Sequence, residues 1–198
     1  VTRTTLIRTD RYSWGAIWLH WSIAVLVLAN LTLGLFHESL LDGIKWVIPI
    51  HKSIGFTVLA LTLLRLGWRL THRPPPLSVD MTGWERTVAK VVHWVFYALL
   101  LVMPLTGWML SSNPARLRPM AWFWLFPVPP LPISGATATL GHDVHVVLAF
   151  VMLALVVLHI AAALRHHLLL RDAVLGRMAP GLIQNGGNSP VRPFKSES

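Results

Sequence analysis

No cysteine occurs among the 198 residues. That excludes disulfides, iron–sulfur clusters, thiolate metal sites and the Cys-x-x-Cys-His attachment of a c-type haem. Charge is scarce too. Asp, Glu, Lys and Arg make up 13% of the chain, where about 25% is usual. Acidic side chains are the scarcer sign, 8 against 17 basic, for a net charge of +9. Hydrophobic residues reach 54%, more apolar surface than a chain of this size can hide from water. A soluble monomer is excluded on that balance, and a bilayer becomes the natural solvent. In a soluble chain the positive charge would imply nucleic acid. Here the basic residues stand between apolar runs, so no nucleic-acid partner is expected and the charge reads as membrane topology. Tyrosine occurs twice, tryptophan and histidine ten times each. Tryptophan suits membrane interfaces; the histidines need their own explanation.

Three stretches carry no Asp, Glu, Lys or Arg: Tyr12 to Phe36, Val91 to Ala115 and Val144 to Leu164. Each is long enough to cross a hydrocarbon core, which takes about 20 helical residues. A fourth, Ile50 to Leu70, is interrupted only by Lys52 near one end and by Arg65 and Arg69 near the other. The pattern predicts an all-α membrane protein, a bundle of four transmembrane helices near 14–36, 50–71, 86–111 and 141–168. Pro104 with Gly107 marks a possible kink in the third, and His142-Asp143 reads as the start of the fourth. Residues 1–182 read as one domain and 183–198 as a polar tail without regular structure. The first span has a long polar lead and no small-residue cleavage site, so no cleaved signal peptide is expected. Four spans put both termini on one side. Thirteen of the basic residues fall on that side, in the N-terminal lead, the second connection and the tail; Lys45, Lys52, Arg116 and Arg118 fall on the other. The positive-inside rule then places both termini in the cytoplasm, with membrane lipid as the surrounding partner.

Five histidines lie within the apolar segments: His20, His51, His93, His145 and His159. Ionisable side chains at membrane depth are costly and face the bundle interior. His145 and His159 are 14 residues apart, within about 40° of a whole number of helical turns and roughly 21 Å apart along the axis. They project from one face at opposite depths. A zinc or copper site takes clustered ligands instead, so the interval implies two stacked sites. His20 on the first helix matches the depth of His159, and His51 on the second matches His145. Imidazoles paired across bundle helices, without cysteine, suit two non-covalent b-type haems, each iron held by His20 with His159 or by His51 with His145. The alternative is four histidines hydrogen-bonded between helices.

Arg65 follows His51 by the same 14 residues. It reads either as a partner for haem propionates, which arginine holds in bidentate fashion, or as an interfacial arginine. Gly55, one turn after His51, either lets a porphyrin approach the backbone or packs helices. His93, with Tyr97 one turn on, has no depth-matched partner left. It reads as a neighbour of the inner haem touching a propionate or a quinone, or as a plain interfacial histidine.

Several segments together resemble the bacterial cytochrome b561 family of di-haem, four-helix membrane cytochromes. They are Trp18-Leu19-His20-Trp21, His51-Lys52-Ser53-Ile54-Gly55 with Arg65, His93 with Tyr97, and Pro104-Leu105-Thr106-Gly107-Trp108. Further along are Trp122-Phe123-Trp124-Leu125-Phe126, His145, Leu158-His159, and Arg165-His166-His167 through Met178-Ala179-Pro180-Gly181. The resemblance covers roughly residues 10–182. It implies the same four axial ligands, His20, His51, His145 and His159, and electron exchange with the membrane quinone pool. For the superoxide oxidase branch it implies oxidation of superoxide on the periplasmic side and reduction of ubiquinone.

Three functional classes follow: a superoxide:ubiquinone oxidoreductase, an electron-relay anchor for a separate dehydrogenase or hydrogenase fed by a periplasmic donor, and a non-redox membrane protein with structural histidines. The basic group Lys45, Lys52, Arg116 and Arg118 runs against the topology bias and favours the first, with Lys52, Arg116 and Arg118 as means of steering a small anion. Glu38 and Asp42 nearby weaken it.

Overall fold

The computed structural model describes residues 12–72, 82–170 and 175–179. Four long helices dominate it: α1 Trp14–Phe36, α2 Val47–Thr71, α3 Gly83–Ser111 and α4 Gly135–Leu164. All four are long and apolar enough to cross a membrane. The exterior is built for that solvent. Trp18, Val25, Leu64, Val147, Phe150 and Leu158 are exposed, whereas fully buried apolar residues such as Ile23, Val58, Leu99 and Met152 are few. A water-soluble bundle would place them the other way round. The chain is a multi-pass membrane protein.

The helix ends follow local chemistry. The Ser13 hydroxyl accepts from the backbone N–H of Ala16 to start α1. Thr82 and Glu85 form a reciprocal capping box at α3, which satisfies two of the N–H groups left free at a helix start. The Ser134 hydroxyl accepts from Thr137 N–H to start α4 at Gly135. Helix α4 therefore begins nearly two turns before His142-Asp143, where the apolar run alone placed its start. The cap, not the hydrophobic pattern, sets that end. Helix α3 runs unbroken through Pro104. At its other end α4 passes into a π-helical turn, Arg165–Leu170. The expected tail, residues 183–198, lies outside the described residues, as do Arg3, Arg8, Arg11 and Arg73.

The helices alternate up and down. At the end where α1 begins, Trp68 Nε1 of α2 donates to Ser13 Oγ at 3.0 Å, and Arg165 after α4 pairs with Glu85 of α3 at 3.4 Å. Trp21 Nε1 donates to the Met178 carbonyl at 2.8 Å, tying the segment beyond α4 to α1. We call this the terminal end and its opposite the far end. Helix α1 packs along α2, α2 along α3 and α3 along α4, whereas α4 barely touches α1 or α2. The α3–α4 crossing is tight because Gly141 lies in it: a Cβ there would sit 2.7 Å from Met109 Cβ and 3.4 Å from the Thr106 carbonyl oxygen.

The far end carries a two-stranded hairpin, β1 Ala121–Trp122 and β2 Phe126–Pro127. Its turn holds Phe123 and Trp124 at positive φ, 44° and 61°. Non-glycine residues adopt that conformation only under outside constraint, and α2 supplies it. Ser53 Oγ accepts from Phe123 N–H at 2.9 Å, and its one proton is shared between the carbonyls of Pro49 at 2.9 Å and Ala121 at 3.1 Å. Trp122 Nε1 donates to Thr57 Oγ1 at 3.0 Å. Trp124, Leu125 and Phe126 are left exposed at the tip.

Candidate cofactor site

The two histidine pairs read from helix depth meet in space. The rings of His51 and His145 have centroids 6.2 Å apart at the far end. Those of His20 and His159 are 6.3 Å apart toward the terminal end. Two metal–imidazole bonds of about 2 Å laid end to end, with a ring radius of about 1 Å at each side, give about 6 Å between centroids. Both separations match an iron held between two imidazoles.

The tautomers at the far end fit as well. His51 Nδ1 lies 3.1 Å from the Asn30 carbonyl oxygen, and His145 Nδ1 lies 3.1 Å from that of Met103. A carbonyl only accepts, so each Nδ1 carries the proton and donates. Each Nε2 is left with a free lone pair, the arrangement in which a ligating histidine is oriented through its other nitrogen. Thr106 Oγ1 reinforces the second anchor: it donates to the Met103 carbonyl at 2.8 Å and sits 3.1 Å from His145 Nδ1.

Two glycines make room for these rings. A Cβ at Gly34 would fall 2.8 Å from His51 Cε1, and one at Gly107 would fall 3.2 Å from His145 Cε1. Gly34 and Asn30 carry no mark in the sequence reading, and Thr106 and Gly107 enter it only within the Pro104–Trp108 segment and, for Gly107, as a helix kink. The available signal was a glycine inside an apolar span, four residues after an asparagine. Gly55 contrasts with them: a Cβ there would meet only Asn30 Nδ2, at 3.8 Å. No side chain of the described chain crowds Gly55.

Toward the terminal end His93 stands beside the expected inner pair. Its ring centroid is 6.3 Å from that of His159, as near as His20. Depth counting does not separate the two, because it treats each helix as a separate ruler and ignores which helices are neighbours. Packing separates the two candidates. His93 stands on α3, which lies directly against α4, while His20 stands on α1, which scarcely touches α4. A macrocycle needs helices held apart, and both the His20–His159 and the His51–His145 pairs bridge such helices. Arg65 lies within electrostatic reach of His20, His93 and His159, and its Nε donates to Tyr97 Oη at 3.3 Å. Arg69 holds its guanidinium 5.8 Å from the ring centroids of both Trp94 and Tyr97. The terminal-end site is therefore flanked by cations suited to anionic carboxylates.

At the far end, Lys52 is half-buried and within electrostatic reach of Arg118. Arg116 and Arg118 line a separate cavity with His142. Of the nearby acids, Glu38 pairs with His37 at 3.4 Å, and Asp42 Oδ1 accepts from the N–H of Gly43.

Apolar helices that span a bilayer and present imidazole pairs across their interior define a membrane cytochrome of the b type, an electron-transfer protein whose haem is held without covalent attachment. The chain belongs to the prokaryotic cytochrome b561 family, whose model matches residues 11–181. It is 32% identical over 173 residues to cytochrome b561 homolog 2 of Escherichia coli, covering 85% of this chain and 91% of that one. It is 28% identical over 176 residues to the probable superoxide oxidase CybB of Yersinia pestis, covering 86% and 96%. It is likewise 28% identical over 169 residues to cytochrome b562 of Cereibacter sphaeroides, covering 82% and 90%.

Proposed function

We propose that this chain carries two haems b, one held by His51 and His145 and one by His20 and His159, and moves single electrons across the inner membrane between a donor at the far end and the quinone pool. The observation that carries this reading is the pair of cross-helix imidazole couples, at 6.2 and 6.3 Å, between helices that do not pack closely. An iron held by these histidines would supply one-electron transfer. The chain's own residues do the rest. Backbone carbonyls of Asn30 and Met103 fix the His51 and His145 tautomers, and Arg65 is placed to hold carboxylates near His20 and His159. Pyridine haemochrome quantitation of the purified protein is expected to give two haems b per chain. A value of one or none overturns the reading.

The far end takes the periplasmic side in this reading, with both termini in the cytoplasm. The thirteen-to-four division of basic residues supports it. A reporter that works only in the cytoplasm is expected to be active when fused after Ser198 and silent when inserted near Pro130. The reverse pattern sinks the assignment of sides.

We further propose superoxide as the donor and ubiquinone as the acceptor. Two superoxide anions each give up one electron and become dioxygen; ubiquinone takes both electrons with two protons and becomes ubiquinol. Support comes from Lys52 beside His51, from Arg116 and Arg118 at the same end, and from the similarity to the Yersinia probable superoxide oxidase. Clustered positive charge speeds the encounter with an anion by roughly 10–1,000-fold, an effect that salt weakens. Lys52→Glu is therefore expected to slow haem reduction by superoxide in rapid mixing while leaving the haem spectrum in place, and high ionic strength should narrow the gap between variant and parent. If superoxide reduces the protein no faster than a neutral one-electron donor of similar driving force, and salt has no effect, the chain is instead a relay for a separate dehydrogenase or hydrogenase.

A further inference from the structure

At the far end, between the end of α3 and the start of α4, lies a cavity of about 220 Å³ lined by Leu110, Asn113, Arg116, Arg118, Ala138 and His142 among others. Backbone turns hold both arginines over it. Arg116 N–H donates to the Asn113 carbonyl at 3.1 Å, and Arg118 N–H reaches the Ser111 carbonyl at 3.5 Å. Asn113 Oδ1 accepts from Ala115 N–H at 3.0 Å, which turns the amide and leaves Nδ2 as a donor. Among the described residues neither guanidinium has a hydrogen bond or an ion pair. The adjacent carboxylate, Asp143, is engaged with His142 at 3.2 Å. Lys52 adds a third cation within electrostatic reach of Arg118. Both guanidiniums are exposed, so their combined positive charge is open to an anion from outside.

We propose that Arg116, Arg118 and Asn113 form a binding site for a phosphoryl group, supplied by a phospholipid headgroup or by soluble phosphate. Two guanidiniums present forked N–H donors that match phosphate oxygens, and such charge-assisted pairs are about twice as strong as neutral ones. A tetrahedral anion can engage several donors at once, and Arg116, Arg118 and Asn113 all line the same cavity. The opening is small beside the roughly 300–1,000 Å³ typical of sites for drug-sized ligands, a size in keeping with a single phosphoryl group. Leu110 and Ala138 give the cavity an apolar wall, and Leu117 and Leu140 beside it are exposed. That wall suits the glycerol and first acyl carbons of a lipid whose phosphate sits at the helix ends. The site shares Arg116 and Arg118 with the anion-steering reading above but none of the histidines, so its test reads retained ligand rather than haem content or electron transfer.

The haem-loaded protein in neutral detergent is titrated in one arm with inorganic phosphate and in another with phosphatidylglycerol micelles. Occupancy is counted by native mass spectrometry. One retained ligand per chain is expected in at least one arm. Retention of phosphatidylglycerol alone identifies a lipid site, and retention of phosphate a soluble one. In the double variant Arg116→Ala, Arg118→Ala, occupancy should fall by about tenfold or more, the change given by about 1.4 kcal/mol of lost binding. The variant Arg116→Lys, Arg118→Lys keeps the charge without the fork and should fall between. An unchanged circular dichroism spectrum shows that the variants remain folded. Failure of both arms to give a retained ligand overturns the proposal. So does equal retention by parent and double alanine variant.

Discussion

Alanine at His159 is expected to remove one haem and leave the other, and alanine at His145 to do the reverse. The two residues stand on the same face of α4, each against a partner from a different helix: His20 of α1 and His51 of α2. Fourteen residues of helix separate them, roughly 21 Å at 1.5 Å per residue. Changes that far apart with no shared partner act independently. Pyridine haemochrome content should fall from two per chain to one in either variant, and the reduced spectra should lose different components. His93→Ala is the discriminating companion. Its ring is as close to His159 as that of His20, but α3 lies against α4 with no room for a macrocycle between them. Both haems should therefore survive in His93→Ala, while His20→Ala should lose the one that His159→Ala loses. Loss in His93→Ala with retention in His20→Ala would move the ligand role to α3.

The spans and the histidine pairs were legible in the sequence for a physical reason. Bilayer thickness fixes the length of a charge-free run, and the helical repeat fixes which residues 14 apart share a face. Those two constraints place His145 and His159 without any knowledge of neighbours. What remained hidden depends on how helices meet. His93 sits beside His159 because α3 adjoins α4, which no depth count reveals. The start of α4 at Gly135 is set by Ser134, a single hydroxyl that the apolar pattern does not register. The hairpin of β1 and β2 depends on Ser53 and Thr57, nearly seventy residues upstream of the strands they hold. Its aromatic content marked an interface, but nothing local marked a strand. The separation of Arg116 and Arg118 into a cavity of their own was hidden for the same reason, since three of its seven lining residues come from α4.

Valine at Gly34 is expected to cost the far-end haem even though Gly34 holds no ligand atom. The first added carbon would lie 2.8 Å from His51 Cε1 and 3.3 Å from Nδ1, closer than unbonded carbons approach. The imidazole must move, and its hydrogen bond to the Asn30 carbonyl at 3.1 Å moves with it. Overpacking of this kind costs roughly 1–3 kcal/mol, and disturbing the partner that orients a ligating histidine lowers metal affinity by roughly 10–100-fold. Occupancy of the far-end haem should fall accordingly, while the His20–His159 site keeps its own. Gly67→Ala is the control, because a Cβ at Gly67 meets nothing within 4 Å. There the added methyl only improves helix propensity, by up to about 1 kcal/mol, and both haems should remain. Equal loss in the two variants would trace the effect to helix stability. Full occupancy in Gly34→Val would show that the His51 ring has room to ligate from another position.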